Sequence, residues 1–338
     1  DDAIGNLKIV CGCDYPDPKD AEKASLSMHF ISQETTDENK KYLHPIKTNN
    51  SLKITIGTKN MKKLVPGQRV LIETTTEEYG DMYVGKYIKT IGNANDPDID
   101  FKTIAYNYGF NLEFPDEVLE EVKKLKTEVT EEDLIGRVDL RNEKIFTIDG
   151  IDCKDMDDAV SIKKDDEGNY ILGVHIAHVS HYVKTSSEIF KEATRRTTSA
   201  YFPESVIPML PFELSNGICS LNEKVDRLTR TVEIKFNPVG KIIDYKIYKS
   251  VINSKKKMNY DDVTKVITNK EIPKGYEPFV KDLKLMHELS KKLSTIKNER
   301  GYIGLNSEEL KFKLDALNNT EEIPNDASAP FSGTEKCR

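Results

Sequence analysis

Residues 144–160 read KIFTIDGIDCKDMDDAV, and of the five aspartates within ten residues there, Asp149, Asp155, Asp157 and Asp158 are the candidates for chemistry. The apolar residues Ile145, Phe146 and Ile148 lead into the first acid and Gly150 follows it, which is the pattern of a buried strand ending at a turn. The acids therefore sit at the mouth of a strand. Crowded carboxylates repel one another and desolvation adds to the cost, so a fold that gathers them usually binds cations. Every candidate ligand is an oxygen. That favours Mg²⁺ or Mn²⁺ over zinc, with water and substrate phosphate as the remaining ligands. Taken alone, the same composition also fits a solvated acidic turn. A helix-loop-helix calcium loop fits less well, because no closing Glu occupies the twelfth position and the preceding residues are strand-like.

Around this stretch lies a chain of 338 residues, enough for two or three domains with cores of their own. Its 37% hydrophobic and 32% charged residues describe a heavily solvated surface, while recurring apolar runs argue against disorder. No run of 18 apolar residues and no basic-then-apolar N-terminus occurs, so neither a membrane span nor a signal peptide is expected, and a cytoplasmic monomer is. The five cysteines (Cys11, Cys13, Cys153, Cys219 and Cys337) form no CxxC pair, which points to reduced thiols rather than zinc ligands. Cys11 and Cys13 would share one face of a strand, a pattern of ordinary packing more often than of metal or redox chemistry. A net charge of −7 does not by itself suggest nucleic acid, although net charge hides its distribution.

The first hundred residues carry short β-type runs at 7–10, 51–57, 68–75 and 81–92, separated by turn formers and charge clusters. That punctuation suggests a small Greek-key barrel of the oligonucleotide-binding (OB) type, with a ligand-free β-domain as the generic alternative. Residues 33–50 are polar and lysine-rich, and a mobile loop is expected there. A short helix is expected between Pro97 and Gly109, and another opens at Pro115-Asp116 with Val118, Val122 and Leu125 on one stripe. A second domain begins near that point.

Ile171 to Val183 reads as a nearly continuous strand, with His175, His178 and His181 three residues apart. A strand splits their directions, so hydrogen bonding is the better reading of these histidines than metal coordination. Glu188 to Arg196 is helical, 197–222 is rich in proline and aromatic residues, and a strand pair spans 230–251 around Asn237-Pro238-Val239-Gly240. Tyr276 to Glu299 is an amphipathic helix whose Leu283, Met286, Leu289, Leu293 and Ile296 face a core.

Taken in order, FTIDGIDCKDMDDAV, GVHIAHVSHYV, YFPESVIPMLPFELSNGICSLN, VDRL and INSKKKMNYDDV resemble the ribonuclease II-like, or RNB, exoribonucleases. The resemblance is most specific over 140–262, and the first hundred residues look like that family's cold-shock, OB-type domain. It implies an α+β chain in which a small OB-fold (1–100) and a helical connector (101–130) precede a mixed α/β RNB domain (131–319), with an irregular tail at 320–338. It further implies processive hydrolysis of single-stranded RNA from the 3′ end, releasing nucleoside 5′-monophosphates with Mg²⁺ or Mn²⁺.

The family's catalytic, metal-binding aspartates fall on Asp149, Asp155, Asp157 and Asp158. Asp157 is the acid whose loss is not tolerated, and Asp149 and Asp158 are metal ligands. Its RNA-clamping aromatics fall on Tyr201 and Tyr260, and stacking on such rings contributes about 1–3 kcal/mol per base at any sequence. Lys255, Lys256 and Lys257 either meet phosphates or form a solvated run. The sequence departs from the family at His178, where an Asp is usual, and it is expected to be truncated at both ends. An RNA-binding module without turnover is the alternative.

Overall fold

The computed structural model describes residues 54–304, apart from 66, 80, 81 and 204, together with the segments 8–10, 30–31, 43–45, 311–314 and 320–323. In chain order the first elements are β1 (Lys8–Val10), β2 (Phe30–Ile31), β3 (His44–Pro45), β4 (Ile54–Thr55), α1 (Thr58–Met61), β5 (Gln68–Tyr79), β6 (Met82–Asn93) and α2 (Ile99–Asn107). Then come α3 (Asp116–Val122), α4 (Glu131–Leu134), β7 (Val138–Asp139), β8 (Phe146–Asp149), β9 (Asp158–Lys164), β10 (Tyr170–Ala177), α5 (Val179–Tyr182), α6 (Glu188–Arg196), β11 (Ala200–Tyr201) and β12 (Val206–Ile207). The last are β13 (Asp226–Phe236), β14 (Ile242–Asn253), β15 (Lys256–Asn259), α7 (Tyr260–Ile267), α8 (Val280–Glu299), β16 (Lys311–Leu314) and β17 (Thr320–Ile323). The chain divides into two compact units, one of 1–114, 199–207 and 314–319, the other of the remainder.

In the first unit, β5 alternates its side chains between two cores. Val70 and Ile72 join Leu43, Ile54, Ile56, Met61 and Leu64 on one face, while Leu71 meets Ile91 and Ile99 on the other. One edge of β5 pairs with β6 and the other takes β2 and then β1. Register shifts along β5–β6 add the local twist that lets a small sheet curl. This is the cold-shock-like OB arrangement expected of the N-terminal part. Cys11, Cys13 and Cys337 lie outside the described residues, as does most of the 33–50 stretch. Within that stretch, however, Leu43 is buried and bridges Ile54, so 43–45 is sheet rather than mobile loop. The β11–β12 hairpin belongs to this unit too, and its Phe202 packs edge-on against Phe101 of α2 with centroids 4.9 Å apart.

The second unit is built on a seven-stranded sheet of order β15-β8-β9-β10-β13-β14-β7. Strand alternation gives it two unlike faces. Phe146 and Met258 point to α7 and α8, where Val263, Val266, Phe279 and Leu283 complete a core and the Phe146 and Phe279 rings meet edge to face. Leu283 and Leu289 of α8 are buried as the helical stripe predicts. Ile145 points the other way, into a core with Met156, Ala159, Ala177, Leu221 and Ile252. Between β13 and β14 the turn forms where expected, with the Asn237 side chain accepting from the Val239 and Lys241 amides.

Two expectations need correction. The strand read through Ile171–Val183 ends at Ala177, and Val179–Tyr182 is a short helix. The Ala177 and His178 amides still bond the Asp157 and Leu228 carbonyls in the sheet register, and the strand ends because His178 then leaves the extended region and the His181 amide closes a helical turn on the His178 carbonyl. At the other end of the chain, β17 pairs with β16 within the stretch read as an irregular tail. Among the described residues no helix is long and apolar enough to cross a membrane.

Gly173 of β10 has no room for a side chain. A Cβ there would lie 2.4 Å from Ser161 Oγ and 2.9 Å from His175 Nε2, two atoms that hydrogen-bond each other. Gly173→Ala should lower stability by about 1–3 kcal/mol, the usual range for overpacking, measured as a reduced urea midpoint at unchanged slope.

Candidate active site

Asp149 is the last residue of β8 and Asp158 the first of β9, so the residues between them are a short loop that must carry Asp155 and Asp157 back to the same end of the sheet. The sequence accomplishes this with one apolar anchor. Met156 lies between Asp155 and Asp157 and is 1% exposed, seated in the core below the loop. Its neighbours consequently point away from that core. Backbone ties fix the rest: the Cys153 amide donates to the Gly150 carbonyl (3.1 Å), the Leu221 amide to the Met156 carbonyl (2.9 Å) and the Ala177 amide to the Asp157 carbonyl (2.9 Å).

Residues far along the chain complete this support. Ser220 Oγ accepts from the Met156 amide at 3.1 Å and donates to the Lys154 carbonyl at 2.9 Å. Arg227 in turn donates to the Ser220 carbonyl (2.8 Å) and the Gly217 carbonyl (3.1 Å). Neither residue stands out in the sequence as functional, although both lie in segments that carry the family resemblance. A serine has no local signature as the brace of a loop more than 60 residues away.

The electrostatics of the cluster follow from its crowding. Burial, then the charge of Asp158, pushes the Asp149 carboxyl up to about 6, and Asp155 and Asp157 act in the same direction. Asp157 keeps a solvent-exposed side, yet its pKa is also raised, first by desolvation and then by Asp155 and Asp158. Desolvation raises Asp158 as well. The Cys153 thiol, whose Sγ lies 3.5 Å from Asp155 Oδ1, is pushed up to about 12 by burial and by Asp149, which makes it a poor nucleophile. Asp149 Oδ2 is buried without a hydrogen-bond partner. An all-oxygen donor set with an unpartnered buried oxygen fits a hard divalent cation. Among the described residues no three His, Cys, Asp or Glu side chains converge as a metal-binding group. An ion held by these acids would therefore take further ligands from water or substrate.

The three histidines are engaged in hydrogen bonds. His175 is 2% exposed, between Ser161 Oγ (3.0 Å) and Thr231 Oγ1 (2.8 Å), and burial drops its pKa to about 4. Thr231 continues a hydroxyl chain through Ser250 to Thr229. His178 and His181, brought together by the helical turn, both accept from Arg137 Nη2, at 3.0 and 3.3 Å. An arginine N–H can only donate, so both rings are neutral at Nδ1. His181 Nε2 then donates to Asp133 Oδ1 at 3.1 Å, and burial together with Arg137 and Arg230 brings His178 down to about 4.

The remaining sequence candidates fall in different places. Tyr260 opens α7 directly after Asn259, and β15 runs parallel to β8 with Asn259 opposite Asp149, so Tyr260 enters at the acid-bearing end of the sheet. Tyr201 lies on the hairpin of the first unit with 72% of its surface exposed. The three lysines are half-buried and each has a partner of its own. Lys255 Nζ donates to the Arg141 carbonyl, Lys256 Nζ lies 5.5 Å from the Tyr276 ring centroid, and Lys257 Nζ donates to the Cys153 carbonyl.

Ser220→Ala would leave the buried Met156 amide and Lys154 carbonyl without this partner. A loss of about 1–3 kcal/mol in chemical denaturation is expected. The His175 shift gives a second test. Its folded pKa lies below its unfolded value of 6.5, so the unfolded chain binds the proton first and stability falls as pH drops from about 6.5 to 4, by up to about 1.4 kcal/mol per pH unit. Asp149, raised from 3.8 to about 6, acts in the opposite sense over much of that window. The diagnostic is therefore the difference between stability–pH curves of the wild type and His175→Gln, which should open below pH 6.5.

A family profile described as the RNB domain matches residues 137–330, and one described as a cold shock domain matches residues 42–115. Ribonuclease R of Thermotoga maritima is 42% identical over 264 residues, covering 77% of this chain and 37% of that protein. The structure of Mycoplasma genitalium RNase R in complex with ribose-methylated single-stranded RNA superposes with a TM-score of 0.79 at 28% identity, covering 95% of this chain and 52% of that one. Yeast Ssd1, a pseudonuclease, shares the fold at 15% identity with a TM-score of 0.54 over 88% of this chain and 41% of its own. The chain thus spans about two fifths of the Thermotoga protein and about half of the Mycoplasma one, and it belongs to the RNB-domain family.

Proposed function

We propose that this chain carries the acid centre of a divalent-metal-dependent exoribonuclease that removes nucleoside 5′-monophosphates processively from the 3′ end of single-stranded RNA. The observation that carries the reading is the gathering of Asp149, Asp155, Asp157 and Asp158 at one strand end, with an unpartnered buried oxygen on Asp149. An RNA substrate also accords with the similarity to ribonuclease R proteins, one of which is seen in complex with single-stranded RNA.

In this reading Asp149 and Asp158, anchored by the sheet, would hold Mg²⁺ (Mn²⁺ as a substitute), with Asp155 and Asp157 of the braced loop beside them and water or substrate supplying the remaining ligands. The bound ion supplies charge neutralisation at the scissile phosphate. Asp157 keeps a solvent-facing side from which it can hold and orient a water or a proton near the phosphate, and it is the acid whose loss is tolerated least. Tyr260 and Tyr201 offer rings for base stacking, which accepts any sequence. We assign this role to a cytoplasmic monomer, and size-exclusion chromatography with light scattering tests the oligomeric state.

The experiment is incubation of the purified chain with labelled single-stranded RNA and Mg²⁺. Mononucleotide release is expected, falling at least about 10²-fold in Asp157→Asn, the scale of losing one well-placed electrostatic group. The Asp149 shift adds a pH test. Cation binding needs the ionised carboxylate, so Mn²⁺ affinity measured by calorimetry should weaken as pH falls through about 6. A second reading, RNA binding without turnover, is favoured by the presence of the same fold in a pseudonuclease, since fold alone does not carry chemistry. RNA retained intact in both Mg²⁺ and Mn²⁺ would select it.

A further inference from the structure

We propose that Lys257 is the internal counter-cation of the acid centre, a positioning residue that keeps Asp149 and the 150–157 loop gathered when no metal is bound. The inference rests on the reading of the four acids as a metal centre and adds to it a residue outside the acid motif.

The geometry begins with the strand register. In the parallel pair of β15 and β8, Lys256 stands opposite Phe146, Lys257 opposite Thr147, Met258 opposite Ile148 and Asn259 opposite Asp149. Phe146, Ile148 and Met258 share the core beneath α7 and α8. Alternation therefore puts Lys257 on the opposite face of the sheet, the face of Thr147 and Asp149. From there its ammonium reaches the Cys153 carbonyl in the first turn of the acid loop, the turn closed by the Cys153 amide on Gly150. The strand position of Lys257 is fixed as well, since its backbone amide donates to Glu223 Oε2 at 2.9 Å.

The charge is also on the right group. Beside that geometry, Lys257 favours ionisation of the Asp149 carboxyl, which burial, Asp158, Asp155 and Asp157 oppose. Its neighbours in the lysine run are turned to other partners, Lys255 to the Arg141 carbonyl and Lys256 to the Tyr276 ring. A lysine that served only as a strut for the loop could be replaced by any donor of similar reach. One that offsets carboxylate repulsion needs its charge.

The test compares melting temperatures of the full chain, metal-free and with saturating Mn²⁺, for the wild type, Lys257→Arg, Lys257→Gln, Asp149→Asn and the Lys257→Gln/Asp149→Asn pair. Lys257→Gln removes the charge but is one bond shorter than lysine, so the Asp149→Asn cycle is what separates lost charge from a weakened bond to the Cys153 carbonyl. It should melt roughly 4 °C or more below the wild type without metal, a drop well resolved for a domain of this size. Lys257→Arg should stay near the wild type. Asp149→Asn should recover most of the loss in the double variant, and Mn²⁺ should narrow the deficit of Lys257→Gln. If Lys257→Gln alone fails to fold, recovery of folding in the double variant supports the proposal, and continued failure counts against it. Equal effects of Asp149→Asn in both lysine backgrounds would overturn the proposal, as would a Lys257→Gln protein as stable as the wild type. A wild type whose melting temperature Mn²⁺ leaves unmoved would instead refute the metal-centre reading, and the Lys257–Asp149 cycle would still decide the role of the lysine.

Discussion

Holding four carboxylates at one strand end is the constraint on which the rest of the second unit depends. Partial desolvation and mutual repulsion oppose their ionisation and raise Asp149 to about 6. What holds the loop is largely neutral: the buried Met156 side chain, the two hydrogen bonds of Ser220, and the ties of the Met156 and Asp157 carbonyls to the Leu221 and Ala177 amides. Such contacts keep their geometry whether the acids are charged or protonated. The loop is thereby held in place by contacts that do not depend on the charge of the acids.

The sheet serves this arrangement by separating its two faces. On one side Phe146 and Met258 pack beneath α7 and α8 and fix the height of the two strands. On the other, the same strands present Thr147, Asp149, Lys257 and Asn259. Because β15 runs parallel to β8, the chain leaves β15 at the acid end and turns straight into α7, capped by the Asn259 side chain on the Asp262 amide. Tyr260 owes its place at that end to this connection. Farther across the sheet, the buried hydroxyl and imidazole chain from Ser161 to Thr229 satisfies the polar groups that the central strands bury.

Much of this was legible from local pattern. The stripe of α8, the β13–β14 turn, α6 and α2 all fall where periodicity and punctuation put them. The strand read through Ile171–Val183 was overextended because β-branched residues continue past Ala177, while the backbone turns out of the extended region at His178 and starts a short helix. Residue type along the segment leaves no mark of that turn. The separate partners of the lysines at 255–257 were not legible either: adjacent positions alternate across a sheet and meet three different groups, which the run of charges conceals.

The sequence by itself determined that acids crowd one short segment, that they follow a buried strand, and which family motifs surround them, because these are properties of residue type and spacing along the chain. Only the tertiary structure decided how the acids are held and how readily each ionises. Asp149 has a raised pKa because burial and three other carboxylates surround it, Ser220 matters because it reaches a loop 64 residues away, and Lys257 faces the acids because β15 pairs in one register with β8. Desolvation and Coulomb interaction depend on distance in space, and distance in space is what the fold supplies.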